Sequence, residues 1–318
     1  MLLTRIMEAH TALRPAVQVT PLEHSPSLSQ TLGCDVFLKA EHVHPTGSFK
    51  LRGATNKIRL LEPTARSRGV VTASTGNHGQ AVAWAGAKAG VPVCVYVAAS
   101  TAEAKLAGIR SLGAELVVID GPPIEAELQD RAAAEQSGRT YISPYNDLDV
   151  VAGQGTLGVE LANQAPDLDA VFVSVGGGGL IGGTGTALKA LRPHTKVVGV
   201  WAENSPCMLR ALEAGRIVDV EELPTLSDGT AGAIEPGSVT FPLCQEVIDR
   251  LVAVNEAEIS GGIRQIAETE HWMVEGAAGM ALAGLVRSAR TYRGARVGVV
   301  LCGRNIAPRM FASIMQHV

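Results

Sequence analysis

Lys50 stands in the run Pro45-Thr46-Gly47-Ser48-Phe49-Lys50-Leu51-Arg52-Gly53, a turn of small residues that follows a strand pattern and opens a helix. A lysine at a helix start feels the positive end of the backbone dipoles, which favours its neutral, nucleophilic amine. That is the form that makes a Schiff base with a carbonyl compound. Lone lysines in such places are most often solvated. Here the flanking residues turn the reading toward chemistry.

Two further loops could meet that amine. Thr72-Ala73-Ser74-Thr75-Gly76-Asn77-His78-Gly79 also follows a strand pattern and opens a helix. Hydroxyls, an amide and free N–H groups at a helix start suit a carboxylate, although Ser74 or Thr75 alone would make an ordinary N-cap. Further on, the apolar run Val171-Phe172-Val173-Ser174-Val175 leads into Gly176-Gly177-Gly178-Gly179, then Leu180-Ile181-Gly182-Gly183 and a helix pattern from Thr184 to Leu191. Glycines let backbone N–H groups converge on an anion, so a phosphate is expected here. Gly177, Gly179 and Gly182 also match the G-x-G-x-x-G of dinucleotide sites, with Glu203 about where a ribose-binding acid would fall. Spacing alone leaves a nicotinamide and another phosphorylated cofactor both open.

The elements needed to position these loops are legible as short apolar runs alternating with helical patterns. Candidate strands are Val36–Lys39, Gly69–Thr72, Val93–Val97, Glu115–Ile119, Ala170–Val175, Lys196–Trp201, Leu251–Val254 and Val297–Leu301. Several are β-branched without polar alternation, as expected of a parallel sheet covered on both faces, and the alternation predicts an α/β fold. Met1 to Ala12 reads as an amphipathic helix rather than a leader. Asp120-Gly121-Pro122-Pro123 reads as a turn into a helix, and 222–239 as a long irregular stretch of the kind that is often functional.

The 318 residues are 46% hydrophobic, enough for one large or two ordinary domains without staples. A formal charge of −4 with no charge run gives no sign of a nucleic-acid or anionic-membrane partner. Five scattered cysteines (Cys34, Cys94, Cys207, Cys244, Cys302) form no CxxC pair, which argues against a zinc ribbon or a disulfide framework and for a reducing, cytoplasmic setting.

Taken together, the ordered motifs TGSFKLRGA, ASTGNHGQA, GGGGLIGG and CGRN resemble the pyridoxal-phosphate (PLP) enzymes of the tryptophan-synthase-β-like fold, fold type II, and within them the serine/threonine dehydratases and serine racemases. The resemblance runs from Thr20-Pro21-Leu22 to Gly303. It implies two α/β domains with the cofactor in the cleft, the small one over 55–146 and the large one over 1–54 and 147–318.

It also implies roles. Lys50 carries the cofactor and later acts as base at Cα. Phe49 packs beside the ring, and Asn77 donates to the pyridine 3′-oxygen. Gly176, Gly177, Gly178, Gly179 and Leu180 cradle the phosphate, Cys302 faces the pyridine nitrogen, and Gly229 and Glu275 line the site. Ser74, Thr75, Gly76, Asn77 and His78 hold the substrate carboxylate, with Thr75 a second catalytic candidate. A thiol at Cys302 is a weak donor that leaves the ring nitrogen near neutral, which favours loss of a β-leaving group over transamination. A small buried apolar residue at a strand end is the plainer reading of Cys302.

The resemblance thus implies β-elimination: dehydration and deamination of a 3-hydroxy amino acid such as threonine or serine to a 2-oxo acid and ammonia. Lys50-Leu51-Arg52-Gly53 departs from the FKDRG of threonine-synthase-like enzymes, and His78 from the threonine of cysteine-synthase-like ones. Racemases of this group carry a serine where this chain has Thr75, so racemisation is the less favoured alternative. The racemase-like metal positions fall on Trp201 and Cys207, with Glu203 offset by two, so no metal is expected. No regulatory domain is expected after Cys302, and a homodimer or larger homo-oligomer is. His42 and His44 read as solvated loop residues or as part of a site wall. Arg304 departs from the small residue usual there. CGRN with ASTGNHG is similar to the dehydratases of hydroxyectoine utilisation, which would imply a hydroxylated diamino acid.

Overall fold

The computed structural model describes residues 1–74, 76–99, 101, 103–120, 129 and 134–316. Thr75 and the turn after Asp120 lie outside them. In chain order the described elements are α1 (Leu2–Leu13), β1 (Leu22–His24), α2 (Pro26–Leu32), β2 (Asp35–Lys39), α3 (Lys50–Arg59), α4 (Pro63–Arg68), β3 (Val70–Ala73), α5 (Asn77–Ala89), β4 (Val93–Ala98), α6 (Glu103–Arg110), β5 (Glu115–Ile119), β6 (Thr140–Tyr141), α7 (Leu148–Gln164), β7 (Ala170–Ser174), α8 (Gly179–Leu191), β8 (Lys196–Ala202), α9 (Cys207–Ala214), α10 (Thr240–Val247), β9 (Arg250–Val254), α11 (Glu256–Glu270), α12 (Gly276–Ser288), β10 (Arg296–Val300) and α13 (Pro308–Gln316).

The strands form two sheets. Six run in the order β1-β2-β10-β7-β8-β9, all parallel except β1, and four run β5-β4-β3-β6, all parallel. Each sheet has its own apolar core. Phe172, Val198 and Val299 are among those buried on the larger sheet, and Val70, Val82 and Val95 on the smaller. This is the α/β arrangement the alternating pattern predicts, in the two sheets that the family resemblance implies. In parallel sheets the loops after the strands' C-terminal ends gather on one edge. Glu41 follows β2, Ser74 follows β3, Gly176 follows β7 and Cys302 follows β10.

All eight anticipated strands are present, with ends shifted by one residue at most. β1 and β6 escaped the pattern. They are three and two residues long, and each is formed by pairing with a distant strand rather than by its own periodicity.

Helix α8 begins five residues earlier than the sequence pattern suggests, inside the glycine run. Glycine disfavours a helix, but close packing outweighs the cost. A Cβ on Gly183 would lie 2.4 Å from the Val151 carbonyl of α7, and one on Gly185 2.5 Å from Val247 of α10.

Candidate active site

Lys50 is the first residue of α3, and its amine donates to the carbonyl of Pro144 at 2.7 Å. The amine is pulled down from 10.5 to about 8, first by burial, with Cys302 and Glu275 opposing. Phe49 sits beside it, with the amine 5.3 Å from the ring centroid, and the Phe49 N–H donates to the Cys302 carbonyl at 3.0 Å. The loop after β2 is thereby tied to the loop after β10.

Glu275 caps the start of α12 and is 5% exposed. Both of its oxygens accept from the Asn77 amide, at 2.8 and 3.0 Å, and one accepts from the Asn305 N–H at 3.1 Å. Burial and then the Asp228 carboxylate push Glu275 up to about 7, against the hydrogen bonds from Asn77 and Asn305. The Cys302 thiol lies 3.9 Å from the same carboxyl and is pushed well above its ordinary range by burial, then by Glu275. It stays a neutral thiol. A Cβ at Gly229 would stand 3.9 Å from Glu275, and one at Gly303 only 2.4 Å, so the loop after Cys302 can press against the carboxyl only as glycine.

The loop after β3 turns into α5 at Gly76. Among the described residues no side chain caps this helix; the Ser74 hydroxyl instead accepts from the Gly76 N–H at 3.3 Å. Ser74 therefore does not cap α5 and Thr75 lies outside the described residues, while the helix start itself suits an anion. Nothing stands within 4 Å of a Cβ built on Gly76, whereas one on Gly79 would meet the Ser74 carbonyl at 2.0 Å. His78 is buried, and its Nε2 donates to the Ile142 carbonyl at 2.9 Å. Burial, then the Lys50 charge, push it down to about 3. A neutral ring that donates through Nε2 keeps a bare Nδ1, which can only accept. Any hold of His78 on a carboxylate must therefore come from its backbone N–H.

Gly176 to Leu180 join β7 to α8. Gly178 has φ +83, the left-handed region natural to glycine, and α8 has no side-chain cap. A Cβ on Gly177 would lie 2.3 Å from the Tyr145 ring, and one on Gly176 2.8 Å from Thr230 Cα. Tyr145 follows Pro144, the acceptor for Lys50, so the lysine and the glycine run share a wall. Tyr145 Oη accepts from the Glu235 N–H at 3.0 Å, and Asn146 holds Glu235 and the Val239 N–H, both at 2.9 Å. The irregular stretch 222–239 is thus pinned over the glycine run.

The chain matches the family model described as pyridoxal-phosphate dependent enzyme over residues 13–303. It belongs to that family. It is 40% identical to an L-threonine ammonia-lyase of Thermotoga maritima over 98% of this chain and 77% of that protein. It is 34% identical to an L-threo-3-hydroxyaspartate ammonia-lyase of a Pseudomonas species, over 98% and 97%. The processed threonine deaminase isoform 2 of Solanum lycopersicum superposes with a TM-score of 0.95 at 32% identity, covering 99% of this chain and 87% of that one.

The residues fit PLP. A four-glycine turn with no room for a Cβ at Gly176, Gly177 or Gly178 leads to an uncapped helix start suited to a phosphate, a lysine amine is lowered toward neutrality, and a buried thiol stays protonated beside them. Family membership removes the nicotinamide alternative. Glu203 pairs with the Arg287 guanidinium at 3.4 Å. Among the described residues, no group of three or more His, Cys, Asp or Glu is placed to hold a metal, and no helix is long and apolar enough to cross a membrane.

One local reading is overturned. His42 and His44 are not solvated. His42 is 4% exposed with its ring 4.7 Å from that of Trp272, and His44 is fully buried, 3.2 Å from Glu41. Glu41 also takes Arg52, which reaches on to Glu160, itself bound by Lys39 at 2.6 Å. This buried network lies directly beneath the turn that presents Lys50.

Proposed function

We propose that this protein is a PLP-dependent ammonia-lyase that removes the elements of water from a 3-hydroxy amino acid and releases a 2-oxo acid and ammonia. The observation that carries the reading is the Lys50 amine, lowered to about 8, grouped with Glu275 and Cys302 and sharing a wall with the glycine run. Lys50 would hold the cofactor's aldehyde carbon, Gly176 to Leu180 its phosphate, and Asn77 its phenolic oxygen, with Cys302 at the ring nitrogen and Gly229 and Glu275 along the ring. When bound, PLP supplies an electron sink for negative charge at the substrate Cα.

The protein's own residues do the rest. Lys50, in its neutral form, would take the Cα proton of the bound substrate. The backbone N–H groups of Asn77 and His78 at the start of α5 orient the substrate carboxylate together with Ser74 and Gly76. Cys302, a neutral thiol and a weak donor, would leave the ring nitrogen of bound PLP near neutral, which would favour loss of the β-hydroxyl as water. The enamine product hydrolyses to the 2-oxo acid and ammonia. The small domain in this reading is 55–146, built on the four-stranded sheet. The reading also includes a cytoplasmic setting and a homo-oligomer.

The test is a panel of L-threonine, L-serine, L-threo-3-hydroxyaspartate and a hydroxylated diamino acid, scored for 2-oxo acid and ammonia in equal amounts. Chiral analysis of recovered substrate separates a racemase. Wild-type protein that forms neither product from any member, or a Lys50→Ala variant as active as wild type, would remove the assignment.

A further inference from the structure

Asn305 follows the CGR turn, and no role is assigned to it above. Its side-chain N–H₂ donates to the Thr46 carbonyl at 2.9 Å and to the Asn77 Oδ1 at 2.5 Å, and its backbone N–H donates to Glu275. Three elements meet at this one residue: the turn before Lys50, the start of α5 on the smaller sheet, and the start of α12 on the larger.

The direction of these bonds is set from the far end. A backbone carbonyl only accepts, so Thr46 requires the Nδ2 side of Asn305. The same Nδ2 has one hydrogen left, which goes to Asn77 Oδ1. Asn77 must then turn its own N–H₂ toward Glu275. Nothing in this order depends on whether Glu275 carries a proton, which matters because Glu275 is pushed up to about 7. Without Asn305, a protonated Glu275 could donate to Asn77 and let the amide turn over, presenting its oxygen. The room is matched as well. A Cβ on Gly47 would lie 2.6 Å from Asn305 Oδ1, and Gly47 has φ +75.

Resting on the reading of Asn77 as a donor to bound PLP, we propose that Asn305 is a positioning residue that takes its direction from the Thr46 carbonyl and locks Asn77 with its N–H face toward the cofactor. Asn305 is solvent-exposed, so its hydrogen bonds contribute little to global stability, and an effect on the site can be read separately from folding.

The experiment compares holoprotein of wild type, Asn305→Ala, Asn305→Asp, Asn77→Ala and the double variant Asn77→Ala/Asn305→Asp. The readouts are the absorbance spectrum of bound PLP, the PLP dissociation constant, kcat and KM for the best substrate, and Tm. Alanine removes the lock, whereas aspartate accepts from Asn77 and reverses it. The expected result is a kcat loss on the order of tenfold for alanine and hundredfold for aspartate, with KM within about threefold, as for an interaction that acts on the chemical step. Asn305→Asp should change the bound-cofactor spectrum at unchanged Tm, and should add nothing in the Asn77→Ala background. Asn305→Asp no worse than Asn305→Ala, or a full additional loss without Asn77, would overturn the inference and leave the site reading intact. Wild-type protein that binds no PLP would overturn both.

Discussion

The Lys50 amine donates to the carbonyl of Pro144 at 2.7 Å, across 94 residues of chain. Pro144 lies in the short link between β6 of the smaller sheet and α7 of the larger, and its neighbour Tyr145 lies over Gly177. The reactive amine and the anion cradle are therefore placed by the same crossover segment.

The lowered amine gives a pH signature before any turnover. Only neutral Lys50 can attack an aldehyde, so the rate of PLP capture by cofactor-free protein should rise about tenfold per pH unit below 8 and level off above it. Capture followed by the growth of visible absorbance across pH 6 to 10 checks this. A rise that continues past pH 10 would mean that the amine is solvated.

Gly177→Ala should weaken PLP binding by roughly 5- to 150-fold. The added Cβ, 2.3 Å from the Tyr145 ring, must displace either the ring or the cradle backbone, and displacements of this kind cost about 1–3 kcal/mol. Equilibrium dialysis reads the affinity. An unchanged dissociation constant would place the phosphate elsewhere.

Stability should fall on mild acidification. His42 is pushed down to about 4 by burial, then by the Arg304 charge, and His78 to about 3, both from 6.5. Both are neutral in the folded protein, so below 6.5 the unfolded chain binds more protons, and stability is lost as pH falls. Glu275 acts in the opposite sense. Raised from 4.5 to about 7, it takes up a proton in the folded state over that window. These two histidines against Glu275 leave a loss of about 1.4 kcal/mol per pH unit between 6 and 5, and His10, also lowered by burial, adds to it in the same sense. Urea unfolding of cofactor-free protein should show at least that slope for wild type, a clearly steeper one for Glu275→Gln, and a clearly shallower one for His42→Gln. Equal slopes in all three would refute the assignment.

Arg52→Met should destabilise the fold by about 3–5 kcal/mol, since it leaves Glu41 and Glu160 buried without their guanidinium. Lys39 still serves Glu160, but Glu41 keeps only Thr20 and His44. Denaturant titration measures the loss, and a cost below about 1 kcal/mol would show the network to be well hydrated.

Most of this was legible where the chemistry is local. Lys50, Asn77, the glycine run and Cys302 each follow a strand, and parallel strands deliver their following loops to one edge. Asn305 and the Pro144–Asn146 link were not legible, because their partners lie 30 to 259 residues away and no local period marks them. The burial of His42 and His44 was hidden for the same reason: Trp272 and the Glu41–Arg52 pair enclose a stretch that reads locally as a polar loop. The early start of α8 was missed because propensity counts each glycine as a cost, while the contacts that repay it come from α7 and α10.

The most direct test is to load purified protein with PLP, record its visible spectrum, reduce with borohydride and map the modified peptide by mass. The account predicts a visible band that borohydride removes and a single label on Lys50. A protein that stays colourless with added PLP, or a label on any other lysine, would contradict it.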